Sequence, residues 1–273
     1  RILAPQPTMK NILDKIFLRF NNLDHISQNI KALSKNTPVK KIFDAINFYS
    51  SDSEIRFVGG CVRKIINNEN VDDIDLATNL EPEEVCKALK KNNIKYYETG
   101  LDHGTITSLI DNYKFEITTL REDVLTDGRH AKVKFSRDWK KDASRRDFTI
   151  NCIYSDRDGN LFDPYEGKKD LEAGYINFIG DPDKRIKEDY LRILRYLRFF
   201  LNYSKQTHSQ EIISKLKINI DGISKLSKER LLDELKKIFK LKTLEKLSQD
   251  QKSKDLIKLI FPELKNISVF SKF

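Results

Sequence analysis

The sequence predicts an α+β fold in which an α/β front part is followed by an all-helical back part. Strand and helix patterns alternate up to about residue 180, whereas from Pro182 onward only helical periodicity is found. Of the 273 residues, 39% are hydrophobic and 33% are charged, so the chain can bury a core and is not disordered as a whole. These observations indicate a globular protein of one large domain or two modest ones.

In the front part, short apolar runs between turn residues predict the order of strands and helices. Alternating and β-branched residues predict strands at 55–58, 71–77, 105–110, 113–120, 132–135, 150–155 and 160–163. Helices are expected at 39–49, after Gly59-Gly60, at 81–91 and at 138–147. Asp111-Asn112 is predicted to join two of the strands as a hairpin, and the turn at 156–159 a second pair. The polar stretch 121–131 is predicted to be a loop.

The back part is helical and basic. Apolar residues at helical spacing predict one continuous helix across 188–198 and another near 231–238. Residues 204–273 contain 16 basic and 9 acidic residues, so this part carries most of the chain's net charge of +9. This excess indicates a polyanionic partner such as nucleic acid or nucleotide phosphates.

Several classes of protein are disfavoured by the sequence. Its three cysteines are odd in number and lack C-x-x-C spacing, which argues against a disulfide framework and predicts a reducing compartment: Cys61, Cys86 and Cys152. Apolar stretches are interrupted by Lys or Arg before the roughly 20 residues that a membrane helix requires, so no membrane partner is expected. The histidines lack metal-ligand spacing and are expected at the surface or in loops: His25, His103, His130 and His208.

The first cluster of candidate residues joins a glycine pair to two carboxylates. Gly59-Gly60 follows a predicted strand and opens a short helix, where backbone N–H groups and Arg63 can approach a phosphate. Asp73 and Asp75 are two residues apart, so in a strand their side chains share one face, as in sites that hold Mg²⁺ beside substrate phosphates. A bare D-x-D is more often a solvated strand end, but here the glycine pair accompanies it.

Glu116 is a candidate third carboxylate for the same cluster. Its apolar neighbours Phe115 and Ile117 would face the opposite side of the strand. An ordinary exposed strand glutamate is an equally good interpretation.

The second cluster follows the predicted helix at 138–147. Arg145 and Arg146 can clamp a polyphosphate, while Asp147 and Asn151 offer hydrogen-bond partners for a ribose. The alternative is a helix C-terminus whose arginines favour the helix dipole.

The third cluster is a row of charged residues at a spacing of three. Asp189, Arg192, Arg195 and Arg198 would be successive neighbours on one face of the predicted helix. The alternative is a set of i,i+3 ion pairs on a solvated surface, although apolar residues flank the row.

Five ordered motifs resemble those of the class II tRNA nucleotidyltransferases, the CCA-adding enzymes, and the related bacterial-type poly(A) polymerases. The motifs are the 59–63 run with 73–75, the 145–151 run, Asp163 with Gly167 and Asp170, the 188–192 run, and the 227–231 run. The resemblance implies a DNA polymerase β-like nucleotidyltransferase head at 38–179 and a helical neck at 180–273. Residues 1–37 would be an N-terminal extension, with 1–8 an artificial leader before Met9.

The resemblance also implies a reaction. Nucleotides would be transferred without a template from CTP and ATP to the 3′ end of tRNA, with Asp73 and Asp75 holding two Mg²⁺ ions and Glu116 assisting catalysis. Asp163 and Gly167 would act as a hinge. A flexible loop that assists the change from C to A addition would contain Asp127, Gly128, Arg129 and His130.

Nucleotide choice by Asp189 and Arg192 has a physical basis. Cytosine and adenine each present an amino donor beside a ring-nitrogen acceptor, whereas uracil and guanine present a carbonyl and an N–H there. A carboxylate that accepts and a guanidinium that donates would therefore select C and A.

Two departures from the family pattern keep other interpretations open. Lys64 stands where the family has an acid, and the family's further helical body and tail domains find no counterpart before Phe273. Alternatives are a poly(A) polymerase, a CC-only or A-only enzyme, and a shortened RNA-binding fragment with little activity. The expected location is the cytoplasm, or the mitochondrial matrix for a eukaryotic protein.

Overall fold

The computed structural model describes residues 25–126 and 131–264. The chain folds into two compact units. Among the described residues, the first contains 25–119 together with Tyr154–Phe162, and the second contains 120–126, 131–153 and 163–264. The head and neck bounds predicted at 38–179 and 180–273 stay a prediction.

The secondary structure alternates strands and helices before it becomes helical. The strands are β1 Ile55–Val58, β2 Ile74–Thr78, β3 Tyr96–Gly100, β4 Thr105–Ile110, β5 Tyr113–Thr119, β6 Arg121–Thr126, β7 Ala131–Phe135, β8 Tyr154–Ser155 and β9 Leu161–Phe162. The helices are α1 (residues 25–36), α2 Val39–Asn47, α3 Gly60–Ile66, α4 Pro82–Lys91, α5 Trp139–Ser144, α6 Gly167–Ala173, α7 Pro182–Glu188, α8 Leu191–Tyr203, α9 Gln210–Ile218, α10 Lys228–Phe239, α11 Glu245–Gln249 and α12 Gln251–Ile260. Short 3₁₀ turns are Leu101–His103, Thr149–Asn151 and Ile220–Lys225.

The first unit is built on a seven-stranded sheet. Its strand order is β3-β4-β5-β2-β1-β8-β9, with β2 and β5 parallel and the other pairs antiparallel. The predicted strands at 55–58 and 105–110 are confirmed, as is the β4–β5 hairpin. Its turn residues Asp111 and Asn112 have φ of 48° and 67°, the left-handed conformation of a tight hairpin turn.

The sheet has an apolar face and a polar face. Helices α2 and α4 pack against each other and against the sheet, and Phe43 of α2 lies 4.9 Å from Phe57 of β1, centroid to centroid. The strand register places Asp75 beside Glu116 and Glu116 beside Thr107, on the face opposite buried Leu76 and Ile117. We call the side that carries Asp75, Glu116 and Thr107 the carboxylate face.

The structure differs from the sequence-based prediction at two strands of this unit. The sequence predicts no strand at β3, because most residues of β3 are exposed and show no alternation of burial. Strand β2 begins at Ile74 and not at residue 71, so Asp73 directly precedes the strand.

Residues 121–126 are a strand, which makes the predicted loop at 121–131 wrong in this part. Strand β6 pairs with β7 in a two-stranded antiparallel ribbon, with Arg121 opposite Phe135. The polar sequence of β6 does not predict a strand. Its strand conformation depends on pairing with β7, which lies further along the chain. Residues 127–130, which include all four predicted flexible-loop residues, lie outside the described residues.

The predicted helix at 138–147 is shorter in the structure. Asp138 caps α5 by accepting hydrogen bonds from the backbone N–H groups of Lys140 and Lys141 at 2.8 and 3.2 Å. The helix ends at Ser144, with Arg145 as its C-cap. The predicted strand at 150–155 is reduced to β8, because residues 149–151 form a 3₁₀ turn.

The predicted continuous helix across 188–198 is interrupted at Asp189. Asp189 has an extended backbone, with φ −154° and ψ 105°, between α7 and α8. Its carboxylate accepts a hydrogen bond from Leu191 N at 3.2 Å and its carbonyl one from Arg192 N at 3.0 Å. Asp189 therefore caps the start of α8 instead of sharing a helix with Arg192, because its short acceptor side chain competes with helix continuation.

The second unit surrounds an aromatic core. Phe148 packs against Phe178 and Phe199 at centroid distances of 4.7 and 5.4 Å, and Phe178 stacks on Tyr196 at 6.1 Å. His208 lies in a loop, as expected, but is buried and not at the surface: Tyr196 hydroxyl lies 3.1 Å from Nδ1, and Ser253 Oγ 2.9 Å from Nε2. None of the described helices combines the length and apolar composition that a membrane crossing requires.

A stability prediction follows from Gly167 at the start of α6. A Cβ atom added there would lie 2.1 Å from the carbonyl oxygen of Thr149, a backbone atom that cannot rotate away. Gly167→Ala should lower the free energy of unfolding by about 1 to 3 kcal/mol through overpacking. Urea unfolding measures this, with Gly100→Ala as the control, since a Cβ there meets Thr105 Cβ at an ordinary 3.5 Å. Equal stability of the two variants would contradict the close approach.

Candidate functional site

The glycine pair and Asp75 meet in the first unit. Gly59 has φ of 64° at the start of α3, a conformation that favours glycine. A Cβ on Gly60 would lie 3.9 Å from both Arg63 Nη2 and Asp75 Oδ2. The predicted phosphate-binding turn, its arginine and one of the paired carboxylates are therefore neighbours.

Asp73, Asp75 and Glu116 share the electrostatic surroundings of Lys114. Lys114 Nζ lies 2.6 Å from Glu116 Oε1, so Glu116 already has a cationic partner. This hydrogen bond and the charge of Glu116 raise the pKa of Lys114, and the charges of Asp73 and Asp75 add to the effect. The charges of all three carboxylates predicted from sequence therefore act on Lys114, and Glu116 is paired with it directly.

The donor set fits a hard cation held jointly with a ligand. Mg²⁺ is commonly bound through one or two carboxylates plus phosphate oxygens. Asp73 and Asp75 supply two carboxylates two residues apart. Among the residues that the structure describes, no group of three or more His, Cys, Asp or Glu side chains could hold a metal ion. Two carboxylates leave coordination positions for phosphate oxygens, so the pair suits Mg²⁺ that arrives with a polyphosphate.

Lys64, the departure from the family pattern, has a partner of opposite charge. Its Nζ lies 2.9 Å from Asp72 Oδ2, and this contact lowers the pKa of Asp72. The pair connects α3 to the segment that leads into β2. Asp72 is 76% exposed, so it is a solvated neighbour of Asp73.

Cys61 lies below the turn as a structural thiol. Its Sγ is 3.4 Å from the Val58 carbonyl oxygen and 3.6 Å from that of Asp75. Burial first, and then the charge of Asp75, raise the pKa of this thiol to about 12. Cys61 is therefore a packed, protonated group and no nucleophile.

In the second unit, Asp142 holds both arginines of the predicted polyphosphate clamp. Its Oδ1 accepts from Arg145 Nε at 2.8 Å, and its Oδ2 accepts from Arg146 Nη2 at 3.1 Å. The Arg121 backbone N–H donates to the same carboxylate at 3.2 Å. Sequence reasoning missed Asp142, although its spacing of three and four residues before the arginines could have revealed it.

Asp147 joins two other predicted residues. Its Oδ2 accepts from Arg195 Nε at 2.6 Å, and its Oδ1 accepts from Asn151 Nδ2 at 2.8 Å. Burial would raise the pKa of Asp147, but the charge of Arg195 and these hydrogen bonds outweigh it and lower the pKa to about 2. Residues of the second and third clusters are thus brought together.

Arg192 is held by a second, partly buried network. Its Nη1 donates to Glu188 Oε2 at 2.7 Å and to the carbonyl oxygen of Arg185 at 2.6 Å. Arg185 itself bonds Glu188 and the carbonyl oxygens of Arg145 and Arg146. Sequence reasoning missed Arg185 as a support for Arg192. Within the described part of the chain, Arg192 Nε has no hydrogen-bond partner and remains a donor.

Asp189 is oriented by the fifth motif. Arg230 of α10 places Nη2 2.8 Å from Asp189 Oδ2. Asp189 and Arg192 are therefore both present with fixed orientations, but through separate partners and not as a mutual ion pair. Arg198 completes the row by bonding the buried carboxylate of Glu234, also on α10.

The predicted hinge residues belong to a capped turn. Asp163 accepts from the backbone N–H groups of Gly167 and Lys168, both at 2.8 Å. Burial raises the pKa of Asp163 against these hydrogen bonds. Asp170 accepts from Thr149 Oγ1 at 2.7 Å, which links the third motif to the second. Motion at this point stays a prediction.

Two family descriptions match the chain. The description "Poly A polymerase head domain" matches residues 55–177, and "Probable RNA and SrmB- binding site of polymerase A" matches residues 209–268.

The name of a related protein agrees with these descriptions. The chain is 38% identical over 240 residues to "CCA tRNA nucleotidyltransferase 1, mitochondrial" of Danio rerio, covering 82% of this chain and 56% of that protein. The chain thus spans about half the length of the curated relatives it matches.

Solved structures show the same fold. A Bacillus stearothermophilus CCA-adding enzyme in complex with CTP has a TM-score of 0.72 at 24% identity, covering 86% of this chain and 57% of that one. A tRNA nucleotidyltransferase complexed with a primer tRNA and an incoming ATP analog has a TM-score of 0.61 at 26% identity, covering 77% of this chain and 60% of that one. The expected polymerase β-like head with a helical neck is confirmed as the fold.

The ion pair of Asp147 with Arg195 predicts a pH dependence of stability. Because the folded state lowers the pKa of Asp147, the pair stabilises the protein above the unfolded pKa of 3.8 and is lost as the pH falls toward 2. The difference in unfolding free energy between the wild type and Asp147→Asn should shrink by about 2 kcal/mol between pH 6 and pH 2. Urea unfolding across this range measures it. Asp221→Asn, at an exposed carboxylate, is the control, and a gap that does not vary with pH would contradict the assignment.

Proposed function

Since the chain belongs to the family of tRNA nucleotidyltransferases and bacterial-type poly(A) polymerases, we propose that it adds C, C and A to the 3′ end of tRNA without a template. CTP and ATP are the donors and pyrophosphate is released. The observation that carries the proposal is the approach of Gly60, Arg63 and Asp75 to one another, with Asp73 two residues before Asp75 in the sequence. Groups suited to a phosphate and to a cation are thereby close together, which supports the proposal.

The residues of the first unit position the triphosphate. Arg63 offers a guanidinium beside the glycine pair, where the absence of a side chain at Gly60 leaves room for a ligand oxygen. Asp73 and Asp75 would hold Mg²⁺, two ions in the proposed mechanism, which when bound neutralises the triphosphate and activates the attacking 3′-hydroxyl. Catalysis then consists of positioning and charge stabilisation, so no protein nucleophile is needed.

The residues of the second unit select the base. Asp189 supplies an acceptor for the amino group of C or A, and the Nε of Arg192 supplies a donor for the ring nitrogen. Arg230 and Glu188 hold these two groups before a nucleotide binds. U and G would leave both groups facing mismatched edges, at a cost of about 1 to 3 kcal/mol for each unpaired group.

The match to a poly(A) polymerase head domain favours one second candidate, the addition of A alone. Incubation with tRNA that lacks CCA and with each labelled triphosphate separates the candidates. Sequential C, C and A incorporation supports the proposal, whereas A tracts, a CC or A product alone, or no product would each replace it. For location, we propose the mitochondrial matrix or the cytoplasm, since the Danio rerio relative is named mitochondrial.

The role of the paired carboxylates predicts a loss of turnover. Asp73→Asn and Asp75→Asn should each reduce C and A incorporation at least tenfold, and by up to about 1,000-fold, because they remove charge stabilisation of the transition state. Single-turnover incorporation of labelled CTP measures this. Asp72→Asn changes the adjacent exposed carboxylate and is the matched control, which should keep more than half of the rate. Retention of more than a tenth of the rate in both test variants would refute the assignment.

The base-selection role predicts altered discrimination. Asp189→Ala and Arg192→Ala should each reduce the ratio of CTP to UTP incorporation by about 10- to 200-fold, since a hydrogen-bond partner of the base is lost. Lys187→Ala, which removes the exposed pair with Asp183 on α7, should leave the ratio unchanged. The ratio is measured at equal folded fraction. A ratio unaffected in both test variants would mean that these residues serve only as scaffold.

A further inference from the structure

One row of side chains crosses four strands on the carboxylate face. The register pairs Asp75 of β2 with Glu116 of β5, Glu116 with Thr107 of β4, and Thr107 with Tyr97 of β3. Laterally paired residues project to the same side of a sheet. Tyr97 therefore lies on the same face as Asp75 and Glu116 and at one edge of the sheet, since β3 is its last strand among the described residues.

The β3 end of this row is exposed, aromatic and basic. Tyr97 is 44% exposed, and Leu109, one of its neighbours on this face, is 41% exposed. Lys95 Nζ lies 5.3 Å from the centroid of the Tyr97 ring. Thr107 and Thr99 form a hydroxyl pair at 2.7 Å, which links β3 to β4. Because the Tyr97 ring is exposed beside an ammonium group, packing in the core does not explain a tyrosine at this position.

The spacing suits a short length of single-stranded nucleic acid. Adjacent strands are about 4.8 Å apart, so three strand spacings place Tyr97 roughly 14 Å from Asp75 along the sheet. A stacked strand advances about 3.4 Å per nucleotide, so this path corresponds to roughly four nucleotides. Lys114 and Lys95 lie along it. Because Lys114 is paired with Glu116, Lys95 is the main cation that complements phosphate charge. A Tyr face accepts any base by stacking.

We propose that β3, β4 and β5 form a platform for the unpaired 3′ end of the RNA acceptor, with one of its bases stacked on Tyr97 and phosphates near Lys95 and Lys114. The inference rests on the proposed function, which places the reacting 3′-hydroxyl at Asp73 and Asp75. The basic helices are one expected RNA contact. The platform adds a second contact, on the sheet and upstream of the reacting end. The surface ends at Tyr97, so it serves the last few nucleotides and not a duplex.

Binding without catalysis tests the platform. Fluorescence anisotropy would follow an RNA hairpin with a four-nucleotide 3′ overhang, and the same hairpin without the overhang, in the absence of nucleotide and Mg²⁺. Tyr97→Ala should weaken binding of the overhang RNA roughly 5- to 150-fold, the range for one lost base–aromatic stack. Tyr97→Phe should bind within twofold of wild type, because the ring is kept. Binding of the blunt hairpin should not depend on residue 97.

The matched control is Tyr113→Ala. Tyr113 is 43% exposed and belongs to the same sheet, but it pairs with Ile110 and projects to the opposite face. Its replacement should leave RNA binding unchanged. In addition, Lys95→Ala should lower the slope of log affinity against log salt by about 0.7, as expected for one lost phosphate contact with single-stranded RNA.

Several outcomes would overturn the platform: unchanged overhang binding in Tyr97→Ala, equal losses for overhang and blunt RNA, or equal losses in Tyr113→Ala. A rise in the KM for CTP with the KM for tRNA unchanged would assign Tyr97 to the incoming nucleotide and would equally refute it. Failure of the proposed function looks different. Wild-type protein would then bind the overhang through Tyr97 but incorporate no nucleotide.

Discussion

The partial burial of guanidinium groups along α8 is the constraint on which the second unit depends. A buried charge is costly unless it is paired and hydrogen-bonded, so each arginine of the row needs a carboxylate. Arg192 bonds Glu188, Arg195 bonds Asp147, and Arg198 bonds Glu234. These carboxylates come from α7, from the segment after α5 and from α10. One row of arginines therefore ties three separate elements to one helix.

Such pairs specify arrangement more than they add stability. Replacing a buried pair by apolar residues is often neutral, whereas removing one partner leaves an uncompensated charge. An alternative packing of α8 would leave at least one guanidinium or carboxylate without its partner, and the cost of that state favours the observed one. The planar fork of arginine makes the preference directional as well as electrostatic. The groups proposed to meet a base are therefore held in place before it binds, which limits the reorganisation required on binding.

The parts of the fold that local pattern determines were predictable from the sequence. Strands β1 and β4 have the predicted bounds because their apolar runs end at Gly59 and at the Asp111-Asn112 turn. Strand β6 was missed because its polar residues become a strand only by pairing with β7. The break at Asp189 was missed for the opposite reason: a strong apolar periodicity continues through it, while a single capping side chain decides the helix start.

The residues of the candidate site also differ in whether local sequence predicts them. Residue types and local spacing identified Gly59, Gly60 and the carboxylate pair, because phosphate and cation binding require them close together in sequence. The partners that orient the arginines could not be found in this way, since Arg195 and Asp147 are 48 residues apart and Arg230 and Asp189 are 41 apart. Sequence spacing reveals which groups can do chemistry. Their orientation depends on which buried charges must be neutralised, and that is settled only when distant elements pack together.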